Sequence, residues 1–249
     1  MQSTSASVSL SARVVRAEWL DDLPPDDPRA RRSRRDLWRI HRAMRSVSIL
    51  LRAIARLHIH LPPRRILDLG SGDGVLLLRL VRTLRTSWSG GEVTFLDRND
   101  LIGSTTRAEL RALGWNVRVL RADALEWAAS PFPEHYDLCL TTLFLHHLQP
   151  PALASVLAAV SGRADAFLAC EPRRNALSSI GSRLVALLGA NDVTRHDAVR
   201  SVAAGFRGHE LASLWPSHRP AWRVDEYFAW PFTHCFAARR LIATESFAR

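Results

Sequence analysis

"RRILDLGSGDGVLLLRLV", residues 64–81, changes character at its middle. A short run of isoleucine and leucine carries Asp68, small residues follow at Gly70, Ser71, Gly72 and Gly74, and an apolar run then resumes at helical spacing. A strand that feeds a small-residue loop opening a helix lets backbone amides approach a ligand closely. The three glycines alternate, however, and do not follow the G-x-G-x-x-G spacing of a dinucleotide loop. Asp68 stands at the loop entrance and Asp73 inside it, and two carboxylates repel a pyrophosphate. The loop therefore suits a ligand with a cationic or hydroxyl-rich part and no phosphate.

Outward from that stretch the pattern alternates strand and helix. "GEVTFLD", "WNVRVLRAD", "YDLCLTTLFL" and "ADAFLACEP" read as further strands, with a helix from about Asp100 to Gly114 and another in "QPPALASVLAAVSG" between Pro150 and Gly162. Such alternation implies an α/β chain with a parallel sheet and helices on both faces. "AWRVDEYFAWPFTHCFAARRL" gives two last strands joined by so short a corner at Pro231 that they must pair antiparallel. Ahead of the core, Leu37, Ile40, Met44, Val47, Leu51 and Ile54 form an apolar stripe on one long helix from about Ser33, with Ser33 as its cap. Residues 1–60 are then a loop and helical lid, and residues 61–249 the core, with a helical cap inserted over about 173–216.

The chain has 249 residues and is 47% apolar, enough for one sizeable core. No apolar run reaches the roughly 18 residues of a membrane span, and the first residues lack the basic and apolar regions of a signal peptide. Cys139, Cys170 and Cys235 sit far apart in apolar runs, as reduced core thiols of a cytoplasmic chain do; no metal-ligand spacing is present. The net charge of +10 raises nucleic acid as a partner. Every one of the 34 basic residues is arginine, though, and they are spread along the chain, which speaks for compositional bias rather than a phosphate-binding face.

Acids recur at the strand ends. Asp97 closes the second strand, where an acid in a parallel α/β sheet can accept both ribose hydroxyls. Asp123 follows the third, where it can accept from an exocyclic adenine amine. With these in place, "ILDLGSGDG", "TFLDRN", "RADALEW" and "YDLCLTTLFLHHL" together resemble the motif set of the class I S-adenosylmethionine-dependent methyltransferases. The resemblance covers about residues 36–240. It implies a Rossmann-like, seven-stranded, mostly parallel sheet with an antiparallel last strand, and S-adenosylmethionine as cofactor. It further implies that Asp68, Gly70 and Gly72 border the methionine part, Asp97 with Arg98 the ribose, and Asp123 with Ala124 the adenine, with Thr141 also on the cofactor side. "LWRIHR" and "VTRHDAVRSVAAGF" narrow the likeness to small-molecule enzymes of the menaquinone- and polyketide-tailoring type.

That likeness implies O-methylation of a phenolic, quinone-like or polyketide acceptor, by a protein compatible with a homodimer. His146 and His147, after the fourth strand, are the catalytic candidates, since a hydroxyl nucleophile gains from a base of near-neutral pKa. Their alternative role is to hydrogen-bond a neighbouring loop. Arg173, Arg174 and the Arg195–His196–Asp197 run are weaker site candidates, and Arg42 is a candidate for the cofactor carboxylate. Two rivals stay open: an RNA methyltransferase, which lacks here any Asn/Asp-Pro-Pro-Tyr or Pro-Cys motif, and a non-catalytic cofactor-binding partner protein.

Overall fold

The computed structural model describes residues 10–59, 62–88, 90–131, 134–216 and 222–241. Its centre is a seven-stranded sheet of β1 (Arg65–Leu69), β2 (Gly91–Asp97), β3 (Trp115–Arg121), β4 (Leu138–Thr142), β5 (Ala166–Pro172), β6 (Trp222–Ala229) and β7 (Thr233–Arg240), in the order 3-2-1-4-5-7-6. β1 to β5 are parallel, and β7 runs antiparallel to both β5 and β6. The strand order reverses between β1 and β4, so their carboxyl ends open a crevice there, the usual ligand position in such sheets.

The helices are α1 (Trp19–Asp22), α2 (Pro28–Ala43), α3 (Ser46–Leu57), α4 (Val75–Thr83), α5 (Ser104–Ala112), α6 (Ala124–Ala129), α7 (Pro150–Arg163), α8 (Ala176–Leu184) and α9 (Asp192–Ala204). Side chains alternate across each strand, so the sheet carries a separate core on each face. Ile66, Val93, Phe95 and Leu168 pack with Leu50 of α3 and Leu77 of α4 on one face. Leu67, Leu69, Phe167 and Phe236 pack with Trp127 of α6 and Val156 of α7 on the other. β5 is buried over its whole length, which matches its almost uniformly apolar sequence.

The N-terminal helix departs from the expectation of one long rod capped by Ser33. α2 begins at Pro28 with Asp27 as its cap, and the rod breaks at Arg45, whose φ of 57° is left-handed. Ser33 is buried inside α2, its hydroxyl 2.8 Å from that of Thr194 on α9. The cap of α9 is Asn191, whose side chain accepts from the amide of Thr194. α5 starts at Ser104 rather than near Asp100, because the Asp100 carboxylate turns back to Arg107. β4 ends at Thr142, short of the expected run to Leu145, where Leu143 takes a φ of 55° and redirects the chain. α7 runs one residue past Gly162. The cysteines are buried free thiols, and no helix among the described residues is long and apolar enough to cross a membrane.

Candidate active site

At the carboxyl ends of β1, β2 and β4 lies a cavity of about 570 Å³, within the range typical of small-molecule sites. Part of its wall is built by the opening loop. Gly70 and Gly74 take positive φ values of 70° and 69°. A Cβ on Gly70 would stand 2.3 Å from the Phe144 ring, so only glycine admits that ring over the loop. Asp97 accepts from the amides of Gly72 at 3.0 Å and Asn99 at 3.0 Å, which ties the end of β2 to the loop. Burial raises the Asp97 pKa against those hydrogen bonds.

Asp68 is the exceptional group. It is 6% exposed, lines the cavity, and its carboxylate receives no hydrogen bond among the described residues. Burial, reinforced by the charges of Asp97 and Asp73, pushes its pKa up to about 8. A carboxylate this poorly compensated favours a cation beside it. The hydroxyls of Ser71 and Thr142, which also line the cavity, are buried without a hydrogen-bond partner. A bare acid and two orphaned hydroxyls fit a ligand that brings an ammonium and polar groups of its own, as S-adenosylmethionine does.

Much of the remaining lining is apolar: Leu37, Trp38 and Met44 of α2 and its end, Leu184 at the end of α8, Val185 after it, and Phe232. His41 lines the cavity too; burial depresses its pKa to about 4, which keeps it neutral. The turn after β4 also lines the cavity. Glu171, fully buried on β5, accepts from the amides of Phe144 at 3.0 Å and Leu145 at 2.9 Å, and pairs with Nδ1 of His146 at 2.8 Å. His146 Nε2 lies 3.5 Å from Glu18. Burial alone would lower the His146 pKa, but Glu171 and Glu18, facing its two nitrogens, raise it to about 9. His147 is more open, with its side chain 24% exposed and Nδ1 3.0 Å from Asp21.

Glu18 and Asp21 come from an N-terminal segment strapped across the cavity. Asp197 accepts from the amides of Trp19 and Leu20 at 2.8 and 3.0 Å, Trp19 stacks on His196 at 3.7 Å, and Arg13 donates to the carbonyls of Ala204, His146 and Leu148. Burial would raise the Glu18 and Asp21 pKa values, yet the imidazoles they face bring both below the ordinary carboxylate range.

The fold thus brings Asp68, Gly70, Gly72, Asp97, Arg98, His146 and His147 to one cavity. It does not bring Thr141, Asp123 or Ala124 there. Thr141 is fully buried in the sheet, its hydroxyl donating to the Leu69 carbonyl at 2.7 Å. Asp123 caps α6 in a reciprocal capping box with Glu126, and Ala124 is buried behind it. Arg174 is a core residue, paired with Glu210 and donating to the carbonyls of Gly205 and Leu10, while Arg173 lies over the Phe228 ring at 3.7 Å. Arg34, not Arg42, reaches the cavity from α2. Asp197 anchors the strap rather than reaching out as part of a free polar cluster. Glu18, Asp21, Arg34 and Glu171 were not legible as site residues; for Glu171 alone a signal existed, an acid closing an otherwise apolar buried strand.

Comparison with known proteins agrees with this geometry. Residues 66–163 match the family described as methyltransferase domain. No curated protein matches the chain. Among solved structures, the plantazolicin methyltransferase BamL, in complex with a triazolic desmethylPZN analog and SAH, superposes with a TM-score of 0.59 at 13% identity, covering 87% of this chain and 92% of its own. An O-methyltransferase family protein from Burkholderia thailandensis gives 0.54 at 19% identity, covering 88% and 61%. Magnesium protoporphyrin IX methyltransferase from Synechocystis PCC 6803 with bound SAH gives 0.50 at 13%, covering 81% and 83%. At these identities the likeness is one of fold.

Proposed function

We propose, for a chain whose residues 66–163 match a methyltransferase domain, that S-adenosylmethionine is its cofactor and that the reaction is methyl transfer to an oxygen of a small phenolic, quinone-like or polyketide acceptor. The observation that carries this is one cavity lined both by the bare Asp68 carboxylate and by the apolar side chains of Leu37, Trp38 and Phe232, with His147 on its wall. Asp68, Ser71, Gly72 and Asp97 would hold the donor, and Arg34 supplies a cation for its carboxylate. When bound, the cofactor supplies an electrophilic sulfonium methyl. The protein then has to align an acceptor oxygen with it and keep water out. The carbon–sulfur bond breaks as the oxygen–carbon bond forms, giving a methyl ether and a thioether.

The proton of the acceptor hydroxyl leaves at the His147–Asp21 pair. Asp21 orients the ring and stabilises its protonated form, as a carboxylate behind a general base does. His146 is a positioning residue: Glu171 and Glu18 face its two nitrogens, and it fixes the turn that carries His147. The apolar walls around Leu37, Trp38 and Phe232 favour a flat, hydrophobic acceptor over a polynucleotide. Arg13 and Arg174, moreover, are spent on backbone carbonyls and an internal acid instead of facing solvent. Incubating the protein with methyl-labelled cofactor and a panel of phenolic and quinol acceptors should yield a product 14 mass units heavier than its acceptor. Labelling of RNA alone, or of nothing while the cofactor binds, would refute the reading.

A further inference from the structure

Glu18, His146 and His147 each direct one ligand atom into a common space, all within 4.8 Å of one another, with Glu18 and His146 buried. The arrangement around His146 is unusual in one respect. Its Nδ1 is committed to Glu171, so in the neutral ring the hydrogen sits there and Nε2 presents a lone pair. That Nε2 is buried, has no hydrogen-bond partner, and points at a Glu18 oxygen 3.5 Å away, which is also an acceptor. A proton or a metal cation placed between these two atoms satisfies both of them.

We propose that Glu18, His146 and His147 form a binding site for a divalent transition-metal cation on the wall of the cavity. Two imidazoles and one carboxylate are the donor set of Zn²⁺, Co²⁺, Fe²⁺ or Mn²⁺ and not that of Mg²⁺ or Ca²⁺, which take oxygen. Three protein ligands leave a coordination position open to a substrate oxygen. The outer shell is in place as well. Glu171 holds Nδ1 of His146 and Asp21 holds Nδ1 of His147, the carboxylate–histidine arrangement that orients metal-binding imidazoles. Three carboxylates, Glu18, Asp21 and Glu171, converge on the cluster, while Arg98 stands 3.8 Å from Asp21 and Arg13 caps the turn from behind. A metal shell with ligand distances of roughly 2.0–2.2 Å needs the three groups to draw together modestly. Glu18 and His147 can supply this movement, one from the strap and the other from a partly open turn.

All three ligands and Asp21 line the cavity, and Phe144, next in chain to Leu145 and His146, lies over Gly70 of the donor loop. The cation would therefore sit beside the place of methyl transfer, lowering the pKa of an acceptor hydroxyl presented to its open position. With the cation bound, the acceptor proton would pass to solvent water and His147 would serve as ligand; without it, His147 takes the proton directly. The catalytic part of this inference rests on the methyl-transfer reading, whereas cation binding does not.

The test uses the whole chain, stripped with a chelator and dialysed against limiting Zn²⁺ or Co²⁺, with bound metal measured by mass spectrometry and affinity by calorimetry. One equivalent is expected, with visible Co²⁺ absorption bands, and Glu18→Gln and His147→Ala should each weaken binding at least tenfold. His135→Ala, at a surface pair with Asp165, should leave it unchanged. Circular dichroism of each variant separates loss of the site from loss of the fold. Substoichiometric metal on the wild-type chain, or equal uptake by a folded Glu18→Gln/His147→Ala double variant, would overturn the site. Cofactor affinity measured on the same samples keeps the two readings apart: cofactor binding without metal uptake sinks only the metal site, and metal uptake without cofactor binding sinks only the donor assignment.

Discussion

Asp68 offers a quantitative test of the donor site. With no ligand, its carboxyl is protonated up to a pKa of about 8, because burial and the charges of Asp97 and Asp73 all oppose ionisation. Pairing with the ammonium of S-adenosylmethionine requires the carboxylate, so binding below that pKa must expel a proton. If the bound pKa returns to the ordinary range near 4, affinity rises about ninefold from about pH 6 to 7 and about fivefold more from 7 to 8, ~50-fold in all. At about pH 7 roughly 0.9 proton should be released per cofactor bound. Calorimetric titrations with S-adenosylhomocysteine in two buffers of different ionisation enthalpy read both quantities. They should stay at or below about pH 8, where the amino group of the ligand keeps its charge. Asp68→Asn should flatten the pH dependence and abolish proton release. The same linkage acts on the free protein: the folded state binds the Asp68 proton more tightly than the unfolded chain, so this group's contribution to stability falls as pH rises from about 4 through 8. Saturating cofactor should cancel that fall. An affinity that does not change with pH, with no proton exchange, would mean that Asp68 does not meet the donor's charge.

Three further outcomes follow from the contacts. Asp97→Ala removes the acceptor for the amides of Gly72 and Asn99 as well as any ribose contact, and should weaken cofactor binding by about 1–3 kcal/mol; unchanged affinity in calorimetry would dismiss the ribose assignment. His147→Ala should lower turnover while leaving cofactor affinity near wild type, whereas His146→Ala strips the partner from buried Glu171 and should destabilise the fold by about 3–5 kcal/mol in denaturant titrations; equal behaviour of the two variants would refute the division of roles. Arg174→Met should cost about 3 kcal/mol of stability without affecting cofactor affinity, since the buried guanidinium serves Glu210 and the Gly205 and Leu10 carbonyls and does not line the cavity.

How far the sequence discloses this molecule depends on the range over which each signal acts. The sheet is legible because its cause is local: a short apolar run in "RILDL", small residues where the backbone must turn, and a link at Pro231 too short for anything but an antiparallel return. The donor loop is legible for the same reason, since Asp68, Gly70 and Gly72 lie within five residues and Asp97 at the next strand end. Where two local causes compete, pattern alone does not decide between them. Asp123 has the position of an adenine-binding acid and the sequence of a helix cap, and in the structure its carboxylate caps α6. Ser33 has the sequence of a cap but lies buried against Thr194, a contact between positions 161 apart.

The acceptor side is assembled across still longer separations, and its chemistry is therefore hidden until the chain is folded. His146 and His147 can be picked out as a pair, but what decides their roles are the acids opposite each ring. Glu171 arrives from the next strand, Glu18 and Asp21 from a segment more than 120 residues upstream, and that segment is held by Asp197 on α9. None of these acids carries a motif, because a carboxylate that serves a histidine needs only to be within about 3 Å of it, a constraint on the fold and not on spacing. The consequence reaches the function. A strap that must dock before Glu18 and Asp21 meet the histidines makes the acceptor half of the site conditional on the position of residues 13–22. The donor half, built from β1, β2 and their loops with Arg34 of α2, is not. Asp197→Ala should therefore loosen the strap and reduce turnover while cofactor affinity stays within about threefold of wild type. A parallel loss of both would show that the two halves of the cavity are one cooperative unit.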